Sequence, residues 1–336
     1  MVTIVRVRAI EARVARSIND PQRDDPLMIE TQQLSKRYGR ITAVDAISFK
    51  VGPGEVLGFL GPNGAGKSTT MRMLAGFLAP SDGSASVCGH DVVRDPLGAR
   101  RALGYLPEGA PSYGEMRVQG FLAFVADAHQ LQPAVRRRRL DEVIARLALE
   151  SVLRQRIDTL SKGFRRRVAL AAAILHDPPA LLLDEPTDGL DPNQKHDVRQ
   201  LIREMSRERT IVISTHILEE VQALCTRAIV IARGKLLADA TPAELERRSR
   251  YHGAVSLQVG DSVTARSALE GMQGVAAIEA DSESDRLLVL PIAGFDLLEA
   301  IAERLRARGV AFGDARVERG RLDDVFRSLT VDGAMR

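Results

Sequence analysis

From Met28 to about Leu245 the chain alternates short β-rich apolar runs with stretches whose apolar residues recur every three or four positions. Val56 to Leu60 reads as a strand, followed by a Gly-rich turn and a helix through Leu78. Leu181 to Asp184 and Thr210 to Ser214 repeat the theme, each an apolar strand feeding a turn and a helix. Strands separated by helices need crossover connections, which predicts an α/β fold with a parallel or mixed sheet covered on both faces. The longest uninterrupted apolar run, Val168 to Leu175, has eight residues. A membrane span needs ~20.

The pattern changes at both ends. Residues 1–27 carry five Arg, show no apolar stretch of signal-peptide length and end in the polar segment Asn19 to Pro26, which reads as a loose N-terminal extension. Met28 is a candidate start. Thr241-Pro242 and the charged run Glu244 to Arg250 predict a last helix and a linker, closing a first domain over 28–245. Beyond it Val255, Leu257 and Val259 alternate as a strand, and Ser262 to Gly271 suits a helix. Val275 to Ile278 and Leu287 to Leu290 suit two more strands. Leu298, Ile301 and Leu305 share a helical face that stops at Gly309, and a strand from Val310 to Val317 precedes an amphipathic tail around Leu322, Val325, Phe326 and Leu329. The order βαββαβ plus a helix predicts a small ferredoxin-like α+β domain over 246–336.

Composition narrows the class. The 336 residues have room for one large and one small domain, and 45% apolar with 27% charged residues is a globular balance. Cys88 and Cys225 are too few for a disulfide framework and read as small core residues. The net charge is only +3, yet Pro133 to Arg167 holds ten Arg and one Lys against four acids. With no Trp and 4% aromatics, the chain offers few stacking platforms, so no nucleic acid is expected as a partner. The basic stretch reads as a solvated helical face or a surface for anionic lipid or a partner subunit.

Two elements point to phosphate chemistry. Gly61-Pro62-Asn63-Gly64-Ala65-Gly66-Lys67-Ser68, followed by Thr69, matches the phosphate-loop pattern and lies between a strand and a helix. Glycines let the backbone fold around phosphates, Lys67 neutralises β and γ oxygens, and Ser68 offers a hydroxyl to Mg²⁺. Leu181 to Glu185 is an apolar strand ending in two acids at the sheet edge where that loop opens. Asp184 suits the Mg²⁺ shell, and Glu185 suits the base that activates water against a γ-phosphate.

Leu160-Ser161-Lys162-Gly163-Phe164-Arg165-Arg166-Arg167, with Ser161 23 residues before Asp184, opens a helix through Leu175. Here the chain resembles the nucleotide-binding subunits of ABC transporters, whose signature has the form Leu-Ser-Gly-Gly-Gln. The resemblance implies an ABC-type P-loop ATPase domain with a helical subdomain, binding ATP and Mg²⁺. It also implies a head-to-tail dimer, with an identical or a paired ATPase subunit, in which the Ser161 and Gly163 segment of one subunit caps the γ-phosphate held by the other. By the same resemblance Tyr38, alone an ordinary surface aromatic, matches the adenine-stacking residue. Asp191 in Asp188-Gly189-Leu190-Asp191 matches the loop across the interface, and His216 the switch histidine on the γ-phosphate.

Two departures stand out. Glu108 in Gly104-Tyr105-Leu106-Pro107-Glu108 replaces a glutamine that ligates Mg²⁺ and senses the permease; a carboxylate still offers oxygen to the metal. Lys162 and Phe164 replace Gly and Gln of the signature, and Lys162 is a candidate extra cation for the phosphate. Both departures resemble ATPases of ABC-2 type permeases, and within them gliding-motility-associated ATP-binding subunits, some with an appended domain ending in a segment like Leu322-Asp323-Asp324-Val325-Phe326. The implied setting is the cytoplasmic face of the cell membrane, reached through the permease. The rival is an ABC-type ATPase acting on ribosomes or DNA. A single module, with 94 residues from Lys67 to Ser161, fits it poorly.

Overall fold

The computed structural model describes residues 28–109, 113–280 and 286–330; the N-terminal extension lies outside the described residues. The chain opens with β1 (Ile29–Tyr38) and β2 (Ile41–Val51), then runs through β3 (Val56–Leu60) into α1 (Lys67–Leu74). β4 (Asp82–Val87) and β5 (His90–Asp91) follow, and α2 (Pro96–Arg101) leads to β6 (Leu103–Leu106). A helical stretch comes next: α3 (Val118–Ala128), α4 (Pro133–Arg146) and α5 (Lys162–Ile174). The unit is completed by β7 (Ala180–Asp184), α6 (Pro192–Met205), β8 (Thr210–Thr215), α7 (Leu218–Leu224), β9 (Arg227–Ala232), β10 (Lys235–Ala240) and α8 (Pro242–Glu246).

The central sheet has the order β10-β9-β3-β8-β7-β6, parallel except for β10 at its edge. β3, β7 and β8 are buried along their whole length. A parallel strand covered on both faces has no polar side to show, which is why these three read as continuous apolar runs. Register then does the functional work: Leu60 pairs with Thr215 and Asp184 with Ser214. Three turns far apart in sequence therefore leave the sheet at one edge.

A second, antiparallel sheet of order β2-β1-β4-β5 was not apparent from periodicity. Its strands are interrupted by register shifts at Thr31/Leu34 and Leu34/Lys36, and Gln33 and Ala46 take φ of 47° and 49°. Bulges of this kind insert residues out of phase and erase a simple two-residue alternation. Helix α1 is also shorter than its apolar pattern suggests. It ends at Leu74 because Gly76 turns the chain at φ 68°, and the amides of Phe77 and Leu78 fold back onto the Arg72 carbonyl.

The remaining residues form β11 (Val255–Val259), α9 (Ser262–Leu269), β12 (Val275–Ala280), β13 (Arg286–Pro291), α10 (Leu298–Ala307), β14 (Phe312–Val317) and α11 (Leu322–Thr330). The strands make an antiparallel sheet of order β12-β13-β11-β14, with a core of its own built from Leu257, Leu269, Leu287, Ile301 and Leu305. α11 does not add to that core. Its Leu322 and Val325 are buried in the cluster of the larger unit that contains Leu245, with Phe326 and Leu329 packed against the same cluster. Ser249 donates to Asp324 at 2.8 Å, tying the chain after α8 to α11. Among the described residues no helix is long and apolar enough to cross a membrane.

The arginine run on α4 is not one solvated face. Arg139 is buried and donates to the carbonyls of Ile174 and Leu175 at the end of α5, at 2.7 and 3.0 Å, the Ile174 carbonyl also accepting from the Asp177 amide at 3.1 Å. Its charge meets Glu142 at 2.7 Å and Asp177 at 3.3 Å, while Arg136 pairs with Asp127 at 3.1 Å. Arg139→Ala strips the Leu175 carbonyl of its donor and breaks the pairing with Glu142 and Asp177, and should cost about 2–4 kcal/mol in urea unfolding. Arg137→Ala, at an exposed position, should stay within about 0.5 kcal/mol.

Candidate nucleotide site

The loop Gly61 to Ser68 joins β3 to α1, so its amides and the helix N-terminus open together at the sheet edge. Its glycines are forced by close backbone approach. A Cβ on Gly61 would lie 2.3 Å from the Ile231 carbonyl, and one on Gly66, which caps α1 at φ 106°, would lie 2.5 Å from the Ala43 carbonyl. Lys67 opens the helix, is 5% exposed, and donates to the carbonyls of Gly61 at 2.7 Å and Pro62 at 3.2 Å. Burial pulls its pKa below the usual lysine range, and the carboxylates of Glu185, Asp184 and Glu108 oppose that shift. Thr69 follows in the first turn of α1. An ammonium held on loop carbonyls at a helix N-terminus is a receptor for a polyanion.

Asp184 ends β7 and is wholly buried. Its Oδ1 accepts hydrogen bonds from Ser68 Oγ at 3.3 Å and from Ser214 Oγ, while Oδ2 has no hydrogen-bond partner among the described residues. Leaving a buried carboxylate oxygen bare is costly, about 1–3 kcal/mol or more. Beside a serine hydroxyl, it fits the needs of Mg²⁺, a hard cation that takes carboxylate and hydroxyl oxygens.

Glu185 leaves the strand with φ 47°, an uncommon conformation for a non-glycine residue. Its amide is held by Ser214, through the carbonyl at 3.1 Å and Oγ at 3.2 Å. Its Oε1 lies 4.0 Å from Lys67 Nζ and 3.0 Å from His216 Nδ1. Lys67, Ser68, Asp184, Glu185 and His216 thus converge.

The other expected residues lie outside this cluster. Tyr38 ends β1, half exposed, with Lys36 Nζ 5.4 Å from its ring centre. Glu108 is exposed in the loop after β6. Ser161 is the N-cap of α5, accepting from the Phe164 amide at 3.3 Å, and Asp191 is the N-cap of α6, accepting from Gln194 at 2.9 Å. Gly163 sits where a Cβ would meet the Gln194 side chain at 2.6 Å. Among the described residues no hydrogen bond or ion pair joins Ser161, Gly163 or Asp191 to the phosphate loop. Lys162 is not held toward the phosphate loop of its own chain: its Nζ pairs with Asp188 at 3.1 Å and keeps that carboxyl below the usual range.

Two buried charges escaped sequence reasoning. Glu220, 1% exposed, accepts hydrogen bonds from Thr187 and from Thr215, the latter at 2.6 Å, and so ties the turn after Glu185 to the strand end before His216. Burial raises its pKa. Arg166, 7% exposed, places its guanidinium among backbone carbonyls. The only signal for either was its position, Glu220 within Ser214 to Glu220 and Arg166 within the signature segment.

Residues 44–188 match the family model described as ABC transporter. The daunorubicin resistance ATP-binding protein DrrA3 of Streptomyces coeruleorubidus is 35% identical over 300 residues, 88% of this chain and 94% of that protein. The chain belongs to the ABC transporter ATP-binding family. The domains of this family bind ATP, with Mg²⁺ as the usual partner ion, and are ATPases coupled to transport. A solved ATP-binding subunit of an ABC transporter is 31% identical with a TM-score of 0.62, covering 66% of this chain and 92% of its own. The probable multidrug ABC transporter ATP-binding protein YbhF of Escherichia coli (strain K12) is 36% identical over 223 residues, 66% of this chain. The chain spans only 38% of that relative's length.

The metal reading has a direct check. Asp184→Asn removes the buried charge but keeps the Ser68 and Ser214 contacts available. Binding of a fluorescent ATP analogue in EDTA should change less than about threefold, whereas the gain in affinity on adding Mg²⁺ should fall by about tenfold or more.

Proposed function

We propose that this chain is the MgATP-hydrolysing subunit of an ABC-2 type exporter and works as a head-to-tail dimer, identical or paired. The observation that carries this reading is the separation of the phosphate-loop cluster from the signature segment of the same chain. Lys67, Ser68, Asp184, Glu185 and His216 gather at one sheet edge, while among the described residues no hydrogen bond or ion pair joins Ser161 or Gly163 to them. A second copy supplies the missing segment.

In this reading Lys67 exchanges the Gly61 and Pro62 carbonyls for the β and γ oxygens, which restores solvation to a buried ammonium. Mg²⁺, held by Ser68 and Asp184 with Glu108 as a further oxygen donor, supplies charge neutralisation on the phosphate oxygens. Glu185 takes a proton from water as its oxygen bonds to the γ-phosphorus and the bond to the β-phosphate oxygen breaks, releasing ADP. His216 holds the Glu185 carboxylate at the distance the structure shows and faces the γ-phosphate. Tyr38 stacks on adenine, and the partner's copy of the Asp188 to Asp191 loop lies across the interface.

The permease contact is supported by a cleft of about 500 Å³ between the central sheet and the helical stretch, lined by Phe77, Arg100, Tyr105, Pro107, His129 and His176. Pro107 adjoins Glu108, so an element seated there would press on the loop that carries Glu108. An exporter is supported by relatives named for Nod factor export, and the match to DrrA3, over 300 residues, is long enough to extend past residue 246. The gliding-motility resemblance rests on the signature departures and the appended unit, whose strand order β12-β13-β11-β14 supports a ferredoxin-like reading. The membrane is reached through the permease, from the cytoplasmic side.

Glu185→Gln should bind ATP and dimerise on it while phosphate release falls by about 100-fold or more. Wild-type turnover would remove Glu185 as the base. Ser161→Ala should reduce turnover by about tenfold and leave the affinity of the dilute monomer for ATP unchanged. A loss of monomer affinity instead would contradict the shared site. Chromatography with and without ATP reads the dimer.

A further inference from the structure

Arg166 lies one turn into α5, the helix opened by Ser161. Its guanidinium reaches five main-chain carbonyls. Nε donates to Pro186 at 3.1 Å, Nη1 to Pro107 at 3.0 Å and Gly109 at 3.3 Å, and Nη2 to Asp184 and Glu185. These carbonyls belong to two segments, the loop carrying Glu108 and the turn carrying the two acids of β7. Burying a guanidinium is expensive, and neutral donors such as glutamine could serve some of these oxygens without that penalty. Only the planar fork of arginine reaches both segments at once.

The cation also faces Asp184, Asp188, Glu185 and Glu108. Four carboxylates around a site for a polyanion repel one another and the ligand. Glu185 needs particular support, because it holds φ 47° while presenting Oε1 to His216 and Lys67. Its own carbonyl is one of those gripped by Arg166.

We propose that Arg166 is a positioning residue for ATP hydrolysis: it locks the Glu185 turn to the Glu108 loop and sets the Glu185 carboxylate for attack. The inference rests on the reading of Glu185 as the base. It assigns the signature helix a second task inside its own chain, at the third residue after Gly163. Because the helix bears Ser161 at one end and grips the Glu185 turn one turn later, movement of the helix on dimer closure reaches both sites of the dimer.

The test is made on the full chain with four variants, Arg166→Gln, Arg166→Lys, Glu185→Gln and Arg166→Gln/Glu185→Gln. Misplacement of a catalytic group by about 1 Å can cost about 100-fold. Arg166→Gln should therefore lower kcat by about 100-fold while KM and the EDTA affinity for a fluorescent ATP analogue stay within about threefold. Arg166→Lys, which keeps the charge but not the fork, should lose about tenfold in kcat with unchanged binding. In the double variant the rate should equal that of Glu185→Gln alone, because two residues acting through one group are not additive. Wild-type kcat in Arg166→Gln, equal losses in binding and kcat, or a further 100-fold loss in the double variant would overturn the proposal. If Arg166→Gln is insoluble, Arg166→Lys decides by the same criteria, with wild-type kcat counting against it. An active Glu185→Gln would instead sink the reading of the base, a failure distinct from these.

Discussion

The Asp184 carboxylate is a buried negative charge with one oxygen unpaired among the described residues, and the site is arranged around that constraint. A charge removed from water must find partners or neutralise, and here protein partners serve only half of it. Ser68 and Ser214 satisfy Oδ1, from the phosphate loop and from the neighbouring strand. The loop that reaches Oδ1 through Ser68 carries a lysine that is itself half-compensated, folded onto carbonyls of its own turn. Anion receptor and cation receptor sit side by side, each incomplete. In the proposed reading MgATP completes both.

Around this pair lie buried charges that bind backbone and hydroxyl rather than ligand. Glu220 ties the turn after Glu185 to the strand end before His216. Arg166 ties the same turn to the Glu108 loop. Farther out, Arg139 satisfies the last carbonyls of the helix that Ser161 begins. Buried charged groups tolerate little displacement, since moving one uncovers donors or acceptors that have no water to turn to. The Glu185 turn is therefore held between fixed points, while Ser161 at the start of α5 is exposed. The appended sheet packs its own core, and α11 then returns its apolar face to the larger unit, which joins the two through buried area as well as through the chain.

Much of the site was legible because its chemistry demands particular residues at particular spacings. Glycines at 61 and 66 sit where any side chain would strike a neighbouring carbonyl. A strand ending in Asp184 and Glu185 announces itself by an apolar run stopped by two acids. The antiparallel sheet was hidden because Gln33 and Ala46 break its phase, and the end of α1 was misjudged because Gly76 turns an apolar stretch that periodicity would continue. Arg136 and Arg139 look alike in sequence. One is paired near the surface and the other is enclosed, because α4 turns them to different neighbours.

The sequence by itself determined the phosphate-binding chemistry, the strand-turn-helix units and the order in which they come, since glycine, lysine and acidic residues in that spacing leave the backbone few alternatives. Which side chains meet was decided only by the tertiary structure. Parallel register placed Leu60 against Thr215 and Asp184 against Ser214, and so brought His216 to Glu185. The same packing turned Arg166 from one member of an arginine run into the tie between two loops. Local sequence sets conformations over a few residues, whereas burial and register couple residues tens to hundreds of positions apart, and a charge acquires its role from what surrounds it.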